Sequence, residues 1–184
     1  FFETHRPFGF GDVEPDDSSG IYVPPYLDRT AFNRKELAHL QGSVRKLDAA
    51  VGDILQALKD TDQERNTLVV FTVDHGIEFP RAKKFLYDPG IEVAFIMRWP
   101  DGNIGGGKTC DWLLSQVDFL PTLLEWVGVQ IPENVQGVSF AGAFEGREPG
   151  SPRDAIFGIF HPMGIRCVRT HRYKLIRNFE FRML

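Results

Sequence analysis

The chain has 184 residues and a formal net charge of −4, which allows one domain with a buried core and does not favour a nucleic-acid-binding role. Hydrophobic residues make up 42% and charged residues 25% of the sequence, as in ordinary globular proteins. No apolar stretch is long enough to span a bilayer. The chain begins with Phe1 and Phe2 and no initiator Met, which favours a fragment whose further features lie upstream.

The first predicted element is a long amphipathic helix that follows an irregular loop over residues 7–25. Apolar residues recur at spacings of three and four: Leu37, Leu40, Val44, Leu47, Val51, Ile54 and Leu58. Thr30 or Asn33 is expected to cap its start. Gly42 and Gly52 are poor helix formers and are expected to allow close packing against a sheet, whereas His39 is expected to be exposed.

Two short apolar runs then predict buried strands. Residues 68–73 are continuously apolar and β-branched, as in a strand covered on both faces of a parallel sheet. Residues 93–99 form a second such run, and the order helix then strand favours an α/β layout.

The second half of the chain predicts one helix and a small sheet. Ser115 and Asp118 have the spacing of a capping box, with the helix continuing to Val127 and ending at Gly128. Three short segments, residues 156–160, 165–168 and 173–178, predict a small antiparallel sheet. Cys110 and Cys167 match no metal or redox spacing and are expected to be buried thiols, with a disulfide between them as the open alternative.

The most informative residues are Asp74, His75 and Gly76, which follow the strand predicted over residues 68–73. Ligands of open α/β sheets bind at the carboxyl ends of strands. A carboxylate next to an imidazole can supply half of a divalent-metal site. The ordinary alternative, an Asp-His-Gly turn with no ligand, is the commoner occurrence for the triplet alone.

The segments around this triplet resemble the sulfatase family. Five further segments follow in the family's order. They are a basic residue within 79–83, a Leu-Tyr-x-x-Gly segment at 86–91, a strand ending in Arg-Trp-Pro at 96–100, a helix at 117–123 and a terminal strand at 168–176. The Phe79-Pro80 step and the terminal Arg177-Asn178-Phe179 look most like the heparan N-sulfatase (sulfamidase) branch. Each segment alone is weak evidence, but their combination is specific.

This resemblance implies an alkaline-phosphatase-like sandwich with a mixed, mostly parallel central sheet and a small C-terminal antiparallel β subdomain. Residues 1–130 would form the C-terminal portion of the catalytic α/β domain, and residues 131–184 the subdomain. It also implies hydrolysis of sulfate esters or N-sulfate groups, with a sulfated carbohydrate or another small sulfate ester as substrate. A homodimer is possible, and the family is mostly secreted, periplasmic or lysosomal, although the chain itself does not decide the compartment.

The family match also assigns roles to individual residues. Asp74 and His75 would be metal ligands, for Ca²⁺ or alternatively Mg²⁺, Mn²⁺ or Zn²⁺, with two further acidic ligands upstream. Lys83 would bind and stabilise the sulfate group, although a solvated surface lysine is its ordinary alternative. His5 would face the sulfate and protonate the leaving group, and His161 would line the substrate pocket.

The family's nucleophile is a formylglycine made from the Cys or Ser of a C/S-x-P/A-x-R motif, and neither Cys110 nor Cys167 lies in that motif. The formylglycine is therefore expected in a missing N-terminal part, and no turnover is expected from this chain alone. Two other functions stay open at this point. One is a phosphodiesterase or phosphonate hydrolase of the same superfamily, and the other is a non-catalytic glycan-binding relative.

Overall fold

The longest element of the protein is helix α1, Ala31–Asp60. The computed structural model describes Thr4 and residues 6–8, 12–105, 107–145 and 151–179, and only the backbone of Glu145 and Pro162. Thr30 is the N-cap, and its side chain accepts a hydrogen bond from the Asn33 N–H at 3.1 Å. This confirms Thr30, of the two candidates, as the residue that satisfies an otherwise unpaired donor at the helix start.

The fully buried residues of α1 all lie in its first half. Leu37 and Leu40 pack into an apolar core, and its buried members come from the loops and this helix: Phe8, Ile21, Val23, Leu27, Leu37, Ala38, Leu40 and Phe79. Val44 and Ile54, farther along the predicted apolar stripe, are exposed. The periodicity therefore predicted the helix correctly, but burial within this chain ends near its middle.

Three expectations for the helical surface and the thiols are wrong. A Cβ on Gly42 would lie 2.2 Å from the Glu14 carbonyl oxygen, so this glycine packs against a loop and not a sheet, while nothing lies within 4 Å of Gly52. His39 is half-buried and not exposed. Cys110 is exposed, and only Cys167 is buried.

Strands β1, Val69–Thr72, and β2, Phe95–Arg98, pair in a two-stranded sheet. Helix α2, Asp88–Ile91, lies between them in the sequence. Both strands occur where the apolar runs predicted them, but the residues of β1 are half-buried or exposed and not covered on both faces. Burial on both faces would require further elements packed on each side of the sheet.

The chain divides into two compact units, Phe1–Ile96 and Met97–Leu184. This division falls earlier in the chain than the boundary expected after residue 130. That expected boundary separates the catalytic domain from a C-terminal subdomain, and it stays a prediction. In the second unit, helix α3, Phe119–Trp126, follows a 3-10 turn over Gln116–Asp118. Helix α4, Gly142–Glu145, is a short element that the loop-rich composition did not predict.

Asp118 is the organising residue of the second unit. Its carboxylate is fully buried and accepts hydrogen bonds from the backbone N–H groups of Ser115 and Val138, at 2.9 and 2.8 Å. It also forms an ion pair with the Arg153 guanidinium, through both Nε and a terminal nitrogen. Each carboxylate oxygen thus has partners, which a buried charge requires.

The C-terminal sheet has the order β3-β4-β5, with β3 at Ala155–Phe160, β4 at Ile165–Thr170 and β5 at Lys174–Asn178. Both pairs are antiparallel, with Phe157 opposite Val168 and Val168 opposite Leu175. This confirms the predicted small antiparallel sheet. Within the described residues, no helix is both long and apolar enough to cross a membrane.

Candidate active site

The proposed metal ligands, Asp74 and His75, follow the end of β1 at Thr72 after one intervening residue. Asp74 Oδ1 lies 3.5 Å from His75 Nε2, and the Asp74 side chain is 88% exposed whereas that of His75 is 34% exposed. His75 Nδ1 lies 2.8 Å from the Gly76 carbonyl oxygen. Because a carbonyl oxygen can only accept, Nδ1 carries the hydrogen, and in the neutral ring Nε2 then holds the lone pair.

The backbone just after these residues is tightly packed. The Gly76 N–H donates to the Gly90 carbonyl at 3.0 Å. A Cβ on Gly76 would lie 1.7 Å from the Pro89 carbonyl oxygen, and one on Gly90 would lie 2.2 Å from that of Ala82. Only glycine allows these backbones to approach so closely, so the turn after His75 is held against the 82–90 segment.

Lys83 lies on that same segment and is held by its backbone. Its N–H donates to the Ile77 carbonyl at 3.0 Å, and the Ala82 N–H donates to the Phe79 carbonyl at 3.1 Å. The neighbours Arg81 and Lys84 have positive φ angles of 64° and 68°, which are uncommon for residues other than glycine. Such conformations persist where the surrounding structure enforces them, so the backbone at Lys83 is fixed.

The Lys83 side chain is 16% exposed and its Nζ lies 3.6 Å from Glu78 Oε1. The other carboxylate oxygen of Glu78 accepts the Arg6 backbone N–H at 3.0 Å. These residues line a cavity of about 300 Å³, together with the rest of its lining: Arg6, Glu78, Phe79, Pro80, Lys83, Lys84 and Phe85. The cavity thus contains three cationic side chains and one carboxylate.

Arg6 is occupied by structural contacts. Its guanidinium lies over the Phe79 ring, 4.8 Å from the centroid, and over the Phe8 ring at 5.4 Å. A terminal nitrogen is 3.5 Å from Glu36 Oε2. These contacts hold the Arg6 guanidinium against the two aromatic rings and the Glu36 carboxylate.

The donor set fits part of a metal shell. Two donor atoms 3.5 Å apart can bind one cation, since its bonds to protein nitrogen and oxygen are about 2.0 to 2.6 Å. Among the described residues no group of three or more His, Cys, Asp or Glu side chains could hold a metal ion. Asp74 and His75 therefore suit a site that needs further ligands.

Of the predicted site residues, the structure brings Asp74 and His75 together and places Lys83 on a segment packed against the turn that follows them. His5 lies outside the described residues. His161 is exposed at the start of the 3-10 turn between β3 and β4, in the second unit. Sequence reasoning missed Glu78, because a single Glu in a loop has no distinguishing pattern until its partners are known.

Comparison with known proteins is consistent across sequence and structure. The sulfatase family model matches residues 3–129. The chain is 36% identical over 160 residues to an ulvan-active sulfatase of Formosa agariphila, covering 86% of this chain and 26% of that protein. It is 30% identical over 182 residues to the human N-sulphoglucosamine sulphohydrolase, covering 91% of this chain and 36% of that protein.

A solved structure described as a complex with its substrate D-glucosamine-2-N,6-O-disulfate superimposes with a TM-score of 0.71 at 26% identity. The match covers 82% of this chain and 33% of that chain. The chain therefore spans about a quarter to a third of the length of these proteins. The likeness confirms the predicted α/β, alkaline-phosphatase-like fold class, and with the family-model match it establishes that this chain belongs to the sulfatase family.

Proposed function

We propose that this chain supplies part of the active site of a sulfatase that hydrolyses sulfate esters or N-sulfate groups on a sulfated sugar. The observation that carries the proposal is the pair Asp74 and His75, 3.5 Å apart after β1, beside the segment that holds Lys83, in a chain with a sulfatase match over residues 3–129. The named substrates of the similar proteins, ulvan, N-sulphoglucosamine and glucosamine disulfate, are all sulfated sugars or their polymers.

In this proposal Asp74 and His75 are two ligands of a divalent cation, Ca²⁺ in the first instance, with Mg²⁺, Mn²⁺ or Zn²⁺ as alternatives. When bound, such a cation would supply positive charge that stabilises the sulfate group. Asp74 contributes a hard carboxylate oxygen, which suits Ca²⁺. The His75 ring is oriented by its Nδ1–H bond to the Gly76 carbonyl, which directs Nε2 to the Asp74 side.

Lys83 binds the sulfate group in this proposal. Its side chain is largely removed from water, and a cation interacts more strongly with a developing negative charge where the local dielectric is low. The fixed backbone of residues 81–84 holds the Cα of Lys83 in place, so that the side chain starts from a defined position. His5 is proposed to protonate the leaving group and His161 to line the substrate pocket.

The proposed nucleophile is a formylglycine outside these 184 residues. No Cys or Ser of the chain lies in a C/S-x-P/A-x-R motif. We therefore expect the chain produced alone to show no turnover. Measurable sulfate release from the isolated chain would contradict this assignment.

The deciding experiment uses the complete protein that carries this chain. Release of sulfate is measured from glucosamine-N-sulfate and glucosamine-6-sulfate, beside phosphate-ester and phosphonate-ester hydrolysis under the same conditions. We expect sulfate release to dominate. Dominant phosphonate or phosphodiester hydrolysis would favour the alternative hydrolase, and glycan binding without turnover would favour a non-catalytic relative.

A further inference from the structure

Glu78 lines the same cavity as Lys83. One of its carboxylate oxygens lies 3.6 Å from Lys83 Nζ, and the other accepts the Arg6 backbone N–H at 3.0 Å. The carboxylate thus connects two segments that are 72 residues apart in the sequence. At 30% exposure of its side chain it is partly shielded from water.

We infer that Glu78 is a positioning residue that holds the Lys83 ammonium group in place for an anionic sulfate group in this cavity. The inference rests on the proposed function, because it assigns Glu78 a role only if Lys83 binds sulfate. A lysine side chain has four flexible carbons and loses rotamer entropy when it is ordered. A carboxylate that orders it before substrate binds removes much of that cost from the binding step.

The distance leaves Lys83 able to bind an anion. At 3.6 Å the contact with Glu78 is an ion pair and is longer than the 2.7–2.9 Å of a charge-assisted hydrogen bond. An ammonium group has three donors, so one contact with Glu78 at this distance does not by itself prevent it from binding an anion. The cavity of about 300 Å³ is open to solvent, and its volume is at the lower end of that of small-ligand sites.

Glu78 also bonds the backbone at Arg6, so a purely structural role in this loop has to be separated from positioning of Lys83. The substitution Glu78→Gln does this. The amide oxygen of Gln still accepts the Arg6 N–H, but the negative charge next to Lys83 is lost. Glu78→Ala removes both interactions and serves as the structural comparison.

The test is a double-mutant cycle in the complete protein, with kcat and KM measured on a sulfated glucosamine. Glu78→Gln is made in the wild-type background and in the Lys83→Met background. We expect Glu78→Gln to lower kcat/KM about tenfold when Lys83 is present and less than twofold when it is Met. Glu92→Gln, which removes an exposed carboxylate of the same unit, is the matched control and is expected to change kcat/KM less than twofold.

The outcomes separate the two proposals. Equal losses from Glu78→Gln in both backgrounds, or no loss in either, would overturn the positioning role while the sulfatase proposal stands. If the wild-type protein does not release sulfate, the proposed function itself fails. If Lys83→Met leaves sulfate release unchanged, Lys83 does not bind the sulfate group, and the positioning role of Glu78 fails with it while the sulfatase proposal stands. Circular dichroism checks that each variant is folded. If Glu78→Ala unfolds and Glu78→Gln does not, the double-mutant cycle with Gln alone decides the positioning role.

Discussion

The Gly76 N–H donates to the Gly90 carbonyl at 3.0 Å, which joins the turn after the proposed metal ligands to the segment that carries Lys83. A Cβ at Gly76 would lie 1.7 Å from the neighbouring Pro89 carbonyl oxygen. This contact is with backbone, so it cannot be relieved by rotating a side chain. Any side chain larger than that of glycine at residue 76 should therefore displace the turn that follows the proposed metal ligands.

We therefore expect Gly76→Ala to destabilise the protein by about 3 kcal/mol or more, since overpacking against a rigid neighbour forces backbone shifts. Gly52→Ala is the matched control, because nothing lies within 4 Å of its Cβ position in α1. That change should stabilise by about 0.5 to 1 kcal/mol. Denaturant unfolding followed by far-UV circular dichroism, which reports on α1 in the same unit, compares the two, and an unchanged Gly76→Ala midpoint would contradict the packing argument.

Asp74→Asn should weaken binding of the divalent cation, because it removes a charged oxygen ligand. We expect at least a tenfold rise in the dissociation constant, measured by equilibrium dialysis of the complete protein against Ca²⁺. Asp53→Asn, at an exposed position of α1, removes the same charge away from the turn and should leave binding unchanged. Equal affinities for all three proteins would show that Asp74 is not a ligand.

Lys83→Met should reduce kcat/KM by about 10²- to 10³-fold, which is the usual effect of removing one group that stabilises transition-state charge. The same change at Lys35, an exposed residue of α1, should reduce it less than twofold. Kinetics on a sulfated glucosamine provide the measurement. A loss at Lys83 no larger than that at Lys35 would assign Lys83 to the ordinary surface.

Asp118→Ala should destabilise the protein by about 3 kcal/mol. The substitution leaves the Arg153 guanidinium without its buried partner and two backbone N–H groups without an acceptor. Replacing Asp53 by Ala on the surface of α1 should change stability by less than 0.5 kcal/mol. Thermal and denaturant unfolding of both variants test this, and similar stabilities would show that water replaces the lost contacts.

The same carboxylate should make stability depend on acid. Burial alone raises the pKa of Asp118, but hydrogen bonds from Arg153, Val138 and Ser115 outweigh it and lower the pKa below 3.8. A lowered folded-state pKa stabilises the protein fully above the unfolded value and loses this effect as the pH falls through the folded value. The stability difference between wild type and Asp118→Asn should therefore shrink from pH 6 to pH 3, and a constant difference would contradict the ion-pair account.

Sequence patterns predicted the elements well where one physical rule dominates. The spacing of apolar residues predicted α1, β-branched runs predicted β1 and β2, and the Ser115–Asp118 spacing predicted the start of the second helical segment. The predictions that concerned burial were wrong at several positions. Cys110 is exposed although cysteine is usually buried, and Val44 and Ile54 of the apolar stripe of α1 are exposed, because burial depends on which other segments are present.

By itself the sequence determined the local elements and the order of residues that marks a sulfatase, because helix periodicity, strand runs and turn glycines act between near neighbours. Only the tertiary structure decided that Glu78 meets both Lys83 and Arg6, that Gly76 packs on the Pro89-Gly90 backbone, and that Arg153 pairs with Asp118. The last of these joins residues 35 positions apart. Such contacts depend on how distant segments pack, and neither spacing nor composition specifies that.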